Sequence, residues 1–504
     1  MSHKVFRDVI HNMISLQREG EEGSAAWRDW GDGLLLALID TPEVQRLRRI
    51  RQLGPASRIY PNAEHSRFSH ALGVMHLAKR ILGAVAPGMV RPLEPEELLL
   101  AKVAALLHDI GHGPYSHLFE EVQVPSLSHE SWGRRILLDE ATGVYRVLHR
   151  GCRRLGLDFA SFLDRLQAIF TELPPGESPS LVRQVISSQL DADRMDYLLR
   201  DAHFTGVIYG RYDLEWLLHS LRVQEEAGGE RLTVDVSKGP AALESYLNAR
   251  DHMYLQVYEH KTVRAFEVLF IHLFETLAWA FACDGGLPDG TPVELVDFLR
   301  PTASPGTAPS VQLFLTLDDA VLDYAVGVWA RLRPGSVAQA ELSWKSRLFH
   351  HRVATYRRLF WRMAPEAGSR QLPRVTDQIV DPLAVESLEA FLRRMGGEWV
   401  EVTDPDGERR RLPLGLVVRL DRLERAPYAH LRYVAGSLDA IHVVDGNGRV
   451  VGAEEVSERI HALGHPHRCL ARVFVDPRAE GLVKTLVREG FSCPGMELVC
   501  DSQH

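Results

Sequence analysis

The sequence predicts a mainly α fold with a small β-hairpin and a C-terminal α+β region. Apolar residues at helical spacing predict the helices. They include Val44, Leu47, Ile50 and Leu53, then Leu72, Met75, Leu77 and Ile81. The nearly uncharged run at residues 98–105 predicts a helix buried on most sides. Alternation in Leu221-Arg222-Val223 and in Leu232-Thr233-Val234-Asp235-Val236, with Gly228-Gly229 between, predicts the hairpin. Beyond about residue 390 strand-like pieces appear at 399–402, 441–444 and 471–475, separated by turns such as Pro405-Asp406-Gly407 and Asp445-Gly446-Asn447-Gly448.

In chain order, Asp40-Thr41-Pro42-Glu43 reads as a helix start, with Asp40 as N-cap and proline in the first turn; Gly54-Pro55 ends that helix. A helix over 71–85 follows. Another opens at Glu96 and ends at His108-Asp109, where Gly111, Gly113 and Pro114 stop it. Ser128-His129-Glu130 starts a further helix. Residues 181–204 read as one helix, on which Asp196, Tyr197 and Arg200 share a face with Asp193. Residues 241–282 are a long helical region. Residues 285–309, rich in Gly, Pro, Thr and Ser, read as a domain joint or long surface loop. Stretches 317–332 and 343–362 read as helices. The domains expected are 1–275 as a core, 276–389 as a helical extension, and 390–504 as an α+β region related to assembly.

The 504 residues are 45% hydrophobic and 25% charged, the make-up of an ordinary globular protein rather than a disordered one. A net charge of −9 argues against a generally basic nucleic-acid binder. The five cysteines are scattered without a CxxC pair, which argues against a disulfide scaffold or zinc ribbon. No apolar run reaches the length of a membrane span and the N-terminus is polar, so the expected compartment is the cytoplasm. Seven of the 23 histidines fall within residues 65–129, a local density that asks for a chemical reason.

That reason is a metal. His70, the pair His108-Asp109 and Asp193 stand on three separate predicted helices. Two imidazoles and two carboxylates suit a divalent ion such as Mn, Fe, Zn, Ni or Mg. Taken singly each residue has a plainer reading; Asp193, for instance, could pair with Arg194 or Arg200. The ordered set, with His112, His117 and His129 nearby, is what lifts the metal reading. Phosphoester cleavage needs a positioned water, cations on the phosphate oxygens and a proton donor for the leaving oxygen. Arg67 and Arg194 are the natural phosphate contacts.

The set resembles the H…HD…D signature of the HD-domain metallohydrolase superfamily, and the core is expected to be its helical fold. The segments Asp40-Thr41-Pro42-Glu43-Val44-Gln45-Arg46-Leu47-Arg48, His65-Ser66-Arg67-Phe68-Ser69-His70, His108-Asp109-Ile110-Gly111-His112-Gly113-Pro114-Tyr115-Ser116-His117, Asp191-Ala192-Asp193-Arg194-Met195-Asp196-Tyr197 and Tyr258-Glu259-His260-Lys261 narrow the resemblance. They are similar to the deoxynucleoside triphosphate triphosphohydrolases, which include bacterial dGTPases and mammalian enzymes joining a sterile alpha motif to an HD domain.

The resemblance implies hydrolysis of a dNTP to deoxynucleoside and inorganic triphosphate, with water activated by the metal attacking the α-phosphorus. It implies that His70, His108, Asp109 and Asp193 hold the metal. His129, with His112 and His117, would do acid–base and phosphate work, and Glu130 would orient His129. Arg67 and Arg194 would grip phosphates. Gln52 and Leu53 would line the sugar pocket, Tyr197 and Asp201 would reach the 3′-hydroxyl, and Tyr258 would exclude a 2′-hydroxyl. Arg250, His260 and Lys261 would complete the triphosphate and base end. This chain departs from the pattern at Arg194, where mammalian members carry lysine, at Glu120, where an aspartate is expected, and at Tyr254, where a histidine is. The resemblance further implies a homo-oligomer, dimer or tetramer, with a GTP or dGTP effector held by Lys4, Val5, Asp40, Gln45 and Arg48. A neighbouring deoxynucleotide site departs at Arg7 and Trp216, with Lys238 as its remnant. The alternatives are another HD phosphohydrolase acting on a monophosphate, cyclic nucleotide or alarmone, and a catalytically idle nucleotide sensor or nucleic-acid-binding scaffold.

Overall fold

The computed structural model describes residues 3–17, 29–122, 127–171, 173–174, 177–226, 229–299, 309–352, 356–363, 382–395, 397–425, 440–463, 468–490 and 496–500. It is mainly helical with small sheets. Two compact units are built from interleaved segments: 1–257, 297–320 and 427–465 form one, and 258–296, 321–426 and 466–504 form the other. They cut across the three consecutive domains expected.

The first unit opens with an antiparallel hairpin of β1 (His3–Asp8) and β2 (Asn12–Gln17). Helices α1 (Asp32–Ile39) and α2 (Pro42–Arg46) follow. Thr41, not Asp40, takes the extended N-cap conformation of α2, because the proline ring of Pro42 pushes the residue before it out of the helical region. Asp40 instead closes α1. Nor does the helix run on to Leu53. It tightens into a 3-10 turn at Leu47–Arg49, and the next backbone groups pair across to residues 65–67, with Gln52 N donating to His65 O and Arg67 N donating to Ile50 O.

The centre of the unit is α3 (Arg67–Val85) packed on α4 (Pro95–Leu107). Pro95 opens α4 within a capping box of Glu94 and Glu97. Residues 98–107 are all buried. The one charge among them, Lys102, donates to Asp32 at 2.7 Å and to the Trp30 carbonyl at 3.2 Å, so its burial is compensated. Helices α5 (His117–Val122), α6 (His129–Leu138), α7 (Gly143–Leu155) and α8 (Phe159–Phe170) come next. The single helix expected over 181–204 is two, α9 (Leu181–Ile186) and α10 (Ala192–Thr205). Asp191 makes the break, since its carboxylate caps α10 by accepting from Arg194 N at 2.7 Å and also accepts from Ser188 N. After α11 (Leu214–Ser220), β3 (Leu221–Glu226) and β4 (Gly229–Asp235) form the expected hairpin, with Leu221 opposite Val234. Strand His442–Val444 then adds parallel to β4, and Val450–Gly452 pairs beyond it. Part of the C-terminal α+β region therefore belongs to the first unit's sheet. α12 (Pro240–Met253) leads to a π turn at Tyr254–Tyr258, which interrupts the long helical region.

The second unit is built on α13 (Lys261–Asp284), which packs against the helix Val337–His350. By length and composition alone α13 would suffice to cross a membrane, a property the run-length reading missed, but most of it is buried in the protein. Within 285–309, Val293–Leu299 is helical; residues 300–308 lie outside the described residues. The stretch 343–362 is not one helix. It ends at His350, and Arg357–Met363 is a strand. That strand sits in an antiparallel sheet in the order Met496–Cys500, Arg357–Met363, Arg468–Val475, Val418–Arg425. Leu359, Val400, Leu412, Val473 and Val483 close its core.

Candidate metal centre and active site

The four residues expected to hold a metal converge. His70 lies in the first turn of α3, His108 caps the C-terminal end of α4 with Asp109 just after it, and Asp193 lies in the first turn of α10. His70 Nε2 is 2.9 Å from Asp193 Oδ1, 3.3 Å from His108 Nε2 and 3.7 Å from Asp109 Oδ2. His108 Nε2 is 3.3 Å from Asp109 Oδ1 and 3.6 Å from Asp193 Oδ1. His108 Nδ1 donates to the Ala105 carbonyl at 2.7 Å, and His70 Nδ1 donates to Asp196 Oδ2 at 2.8 Å. Both rings are thereby set with Nε2 facing inward, the arrangement of metal-ligating histidines.

The donor set fits a divalent cation. Two inward Nε2 atoms with no proton between them repel, whereas a cation between them satisfies both. The titration directions agree. Burial opposes the charge on Asp193, yet its bonds to His108 and His70 hold it well below the usual carboxylate range. Burial likewise opposes protonation of His70, but Asp193 and Asp196 push it up to about 10. The pocket demands positive charge, which protons supply when no metal does.

A second cluster adjoins the first. His112 Nε2 is 3.4 Å from Asp109 Oδ1. The His112 ring stacks on His129 with centroids 3.9 Å apart, and His117 meets both edge-on. Glu120 is the hub: its Oε1 is 3.1 Å from His117 Nδ1 and 3.1 Å from His129 Nδ1. Against the cost of burial, those two rings hold the Glu120 carboxyl down at about 2. Glu130 approaches the other side of His129, 3.2 Å from Nε2. Burial and the Arg67 charge lower His112 well below the ordinary imidazole value, so it is neutral. Gly111 makes this proximity possible, because a Cβ there would overlap the His129 carbonyl oxygen and the Gly133 backbone. The α6 N-terminus can thus press against the turn after α4.

Other expected residues divide. Arg67 is buried and committed, donating to Asp109 Oδ2 at 2.6 Å and to Ser116 Oγ at 2.7 Å, so it braces a candidate ligand. Arg194 donates to Ser188 O and pairs with Asp191; Arg250 donates to Gln189 Oε1 and stands 5.9 Å from the Tyr254 ring centroid. Arg194 Nε, Arg250 Nε and Gln52 Oε1 are buried with no hydrogen-bond partner among the described residues. Leu53 precedes the 3-10 turn Gly54–Arg58. Tyr197 lies on α10 beside Tyr254, and Asp201 accepts from His65 at 2.8 Å. Tyr258, His260 and Lys261 open the second unit, where His260 caps α13. Of the effector set, Lys4 and Val5 are exposed on β1 and Asp40 is exposed after α1. Gln45 donates to Ile39 O and accepts from Arg48, whose guanidinium lies 3.7 Å from the Phe68 ring centroid.

Residues 67–200, which hold all four candidate ligands, match the HD domain family. The chain carries an HD domain. It is 39% identical over 267 residues to the uncharacterized protein YwfO of Bacillus subtilis, covering 53% of this chain and 54% of that one. It is 29% identical over 297 residues to the deoxynucleoside triphosphate triphosphohydrolase SAMHD1 of Danio rerio, covering 54% and 44%. The chain spans about half the length of the curated relatives it matches. A phosphohydrolase from Bacteroides thetaiotaomicron shares the fold with a TM-score of 0.64 at 23% identity, over 94% of this chain and 99% of that one. A hypothetical protein from Aquifex aeolicus does so at 0.63 and 27%, over 96% and 100%.

Several residues that shape the HD domain's centre were given no role from the sequence. Asp196 is buried and accepts from His70, His11 and Arg200. Arg46 is buried and donates to the His112 carbonyl at 2.8 Å, which fixes the turn carrying the histidines. Glu120 stood out only as a departure from a pattern. A signal for Asp196 was present, since it shares the helical face of Asp193. None existed for Arg46, whose partner lies 66 residues away.

Proposed function

We propose that this chain is a divalent-metal-dependent hydrolase of deoxynucleoside triphosphates that releases deoxynucleoside and inorganic triphosphate. The observation that carries the reading is the adjacency of the two clusters: a four-residue cation cage and, 3.4 Å from one of its carboxylates, a histidine group hung on Glu120. His70, His108, Asp109 and Asp193 would hold a divalent cation, which would supply an electrophile for a phosphate oxygen and lower the pKa of a water. The remaining work falls to this chain's side chains. Glu120, ionised across the neutral range, accepts from His129 Nδ1 and fixes the ring, so His129 is placed to pass a proton to the leaving oxygen. Neutral His112 packs face to face with it and keeps the ring from turning.

A triphosphate is supported over a monophosphate by Arg194 and Arg250, each with a buried Nε that lacks a hydrogen-bond partner among the described residues. Deoxynucleotide chemistry is supported by the SAMHD1 relatives, and a nucleoside sugar by Gln52 Oε1, a buried acceptor that a hydroxyl would satisfy. A guanine nucleotide at Lys4, Val5, Asp40, Gln45 and Arg48, assembling a homo-oligomer, completes the proposal.

The test is a substrate panel with Mn²⁺: the four dNTPs, ribonucleoside triphosphates, a nucleoside monophosphate, a cyclic nucleotide and an alarmone. The expected result is turnover of dNTPs that is lost in His108→Ala and Asp109→Ala. Turnover confined to the other nucleotides would assign a different HD phosphohydrolase. Tight binding without turnover would assign a sensor.

A further inference from the structure

The N-terminal hairpin buries apolar side chains on β2 and, separately, polar ones at its turn. On β2, Ile14 and Leu16 are buried in the core, while Val5, Val9 and Met13 are 45%, 53% and 50% exposed. Two polar side chains at its turn, Asp8 and His11, are buried. Ile14 and Leu16 account for the apolar packing of β2, but the buried polar pair at the turn requires partners of its own.

Both buried side chains lead to one carboxylate. His11 Nε2 donates to Asp196 Oδ1 at 2.7 Å. Asp8 takes the Arg200 guanidinium with both oxygens, at 2.8 and 3.2 Å, and Arg200 in turn donates to Asp196 at 2.7 and 2.9 Å. The other oxygen of Asp196 accepts from His70 Nδ1 at 2.8 Å, and His70 Nε2 faces the cation cage. The turn is shaped to present these groups: Ile10 N and His11 N both donate to Asp8 Oδ1 at 2.9 Å, and Asn12 adopts a φ of 60°. The receiving side is shaped as well. A Cβ on Gly73 of α3 would overlap Asp196 Oδ1, so only glycine leaves room for the carboxylate.

We infer that the β1–β2 hairpin is a positioning element for the metal centre, with His11 and Asp8 fixing Asp196 and thereby the orientation of His70. This rests on the reading that His70 holds a metal. Without His11, Asp196 keeps its charge and loses a donor, so its rotamer and the His70 ring are set less firmly. A carboxylate bonded directly to a ligating imidazole, as Asp196 is to His70, changes metal affinity by about 10- to 100-fold when lost, and His11 and Asp8 act through it toward the lower end of that range.

The test titrates the metal-free full chain with Co²⁺, reading the dissociation constant and the visible ligand-field spectrum. His11→Leu is expected to weaken Co²⁺ about tenfold and shift the spectrum, and His11→Gln, which can still donate to Asp196, to recover most of both. Asp8→Asn, which removes one charge from Arg200 at constant size, should move both readings the same way and serves if His11→Leu does not fold. A folded His11→Leu and Asp8→Asn with wild-type affinity and spectrum overturns the inference. His70→Ala separates the two claims: if the wild type binds Co²⁺ no better than His70→Ala, the metal reading itself fails.

Discussion

Glu120 Oε1 stands 3.1 Å from two imidazole nitrogens, so one carboxylate orients two rings of the histidine cluster. Glu120→Gln keeps the size but removes the charge and one acceptor. Turnover is expected to fall about 100-fold with KM within about threefold, the pattern of a lost transition-state contact. Metal content should stay at the wild-type value; wild-type turnover would remove Glu120 from the chemistry. At this scale the sequence was most legible where chemistry forces residue type. The convergence of His70, His108, Asp109 and Asp193 could be read because few other roles bring two histidines and two carboxylates to separate helix ends. Arg67 was read as a phosphate contact, and the structure has it bracing Asp109. A guanidinium suits either anion, and sequence alone does not say which is nearer.

The helices are held by close approaches that small changes break. Gly111→Ala puts a Cβ into the His129 carbonyl and must push α6 off the turn. The expected outcome is loss of about 100-fold or more in turnover with the Co²⁺ spectrum of the His70 cage retained, since α6 holds none of its ligands. In the second unit, Glu341 on the helix Val337–His350 is buried between Lys345 at 2.8 Å and Arg478 at 2.6 Å. Burial opposes its charge, but these cations bring it to about 2 from an ordinary 4.5. A folded pKa below the unfolded one means that the pair's stability is complete above about pH 4.5 and is lost as pH falls through about 2. Glu341→Gln should therefore cost roughly 3 kcal/mol in denaturant unfolding at pH 7 and clearly less at pH 3. Equal losses at both values would contradict the assignment. Helix α4 was legible because ten consecutive buried residues leave an apolar run with a single charge, Lys102. The break between α9 and α10 was not, because Asp191 reads equally well as a mid-helix acid and as a cap until its partners Ser188 N and Arg194 N are known.

For the whole molecule, each of the two compact units draws on segments far apart in the chain, an arrangement that a reading of consecutive stretches does not reveal. The pairing of His442–Val444 with β4 joins segments about two hundred residues apart, and a short apolar strand carries no mark of its partner. The effector proposal also belongs to this scale. GTP is expected to raise the molar mass measured by light scattering to that of a dimer or tetramer and to raise dNTP turnover, and Asp40→Ala to abolish both. Mass and turnover that ignore GTP would remove the effector site while leaving the metal centre intact. The central claim is the bond that breaks. The most direct measurement is phosphorus NMR of a dGTP reaction run with the Mn²⁺-loaded protein and cleared of metal before the spectrum. The expected products are inorganic triphosphate and deoxyguanosine, the latter carrying no phosphorus signal. Orthophosphate with dGDP, or pyrophosphate with dGMP, would contradict it.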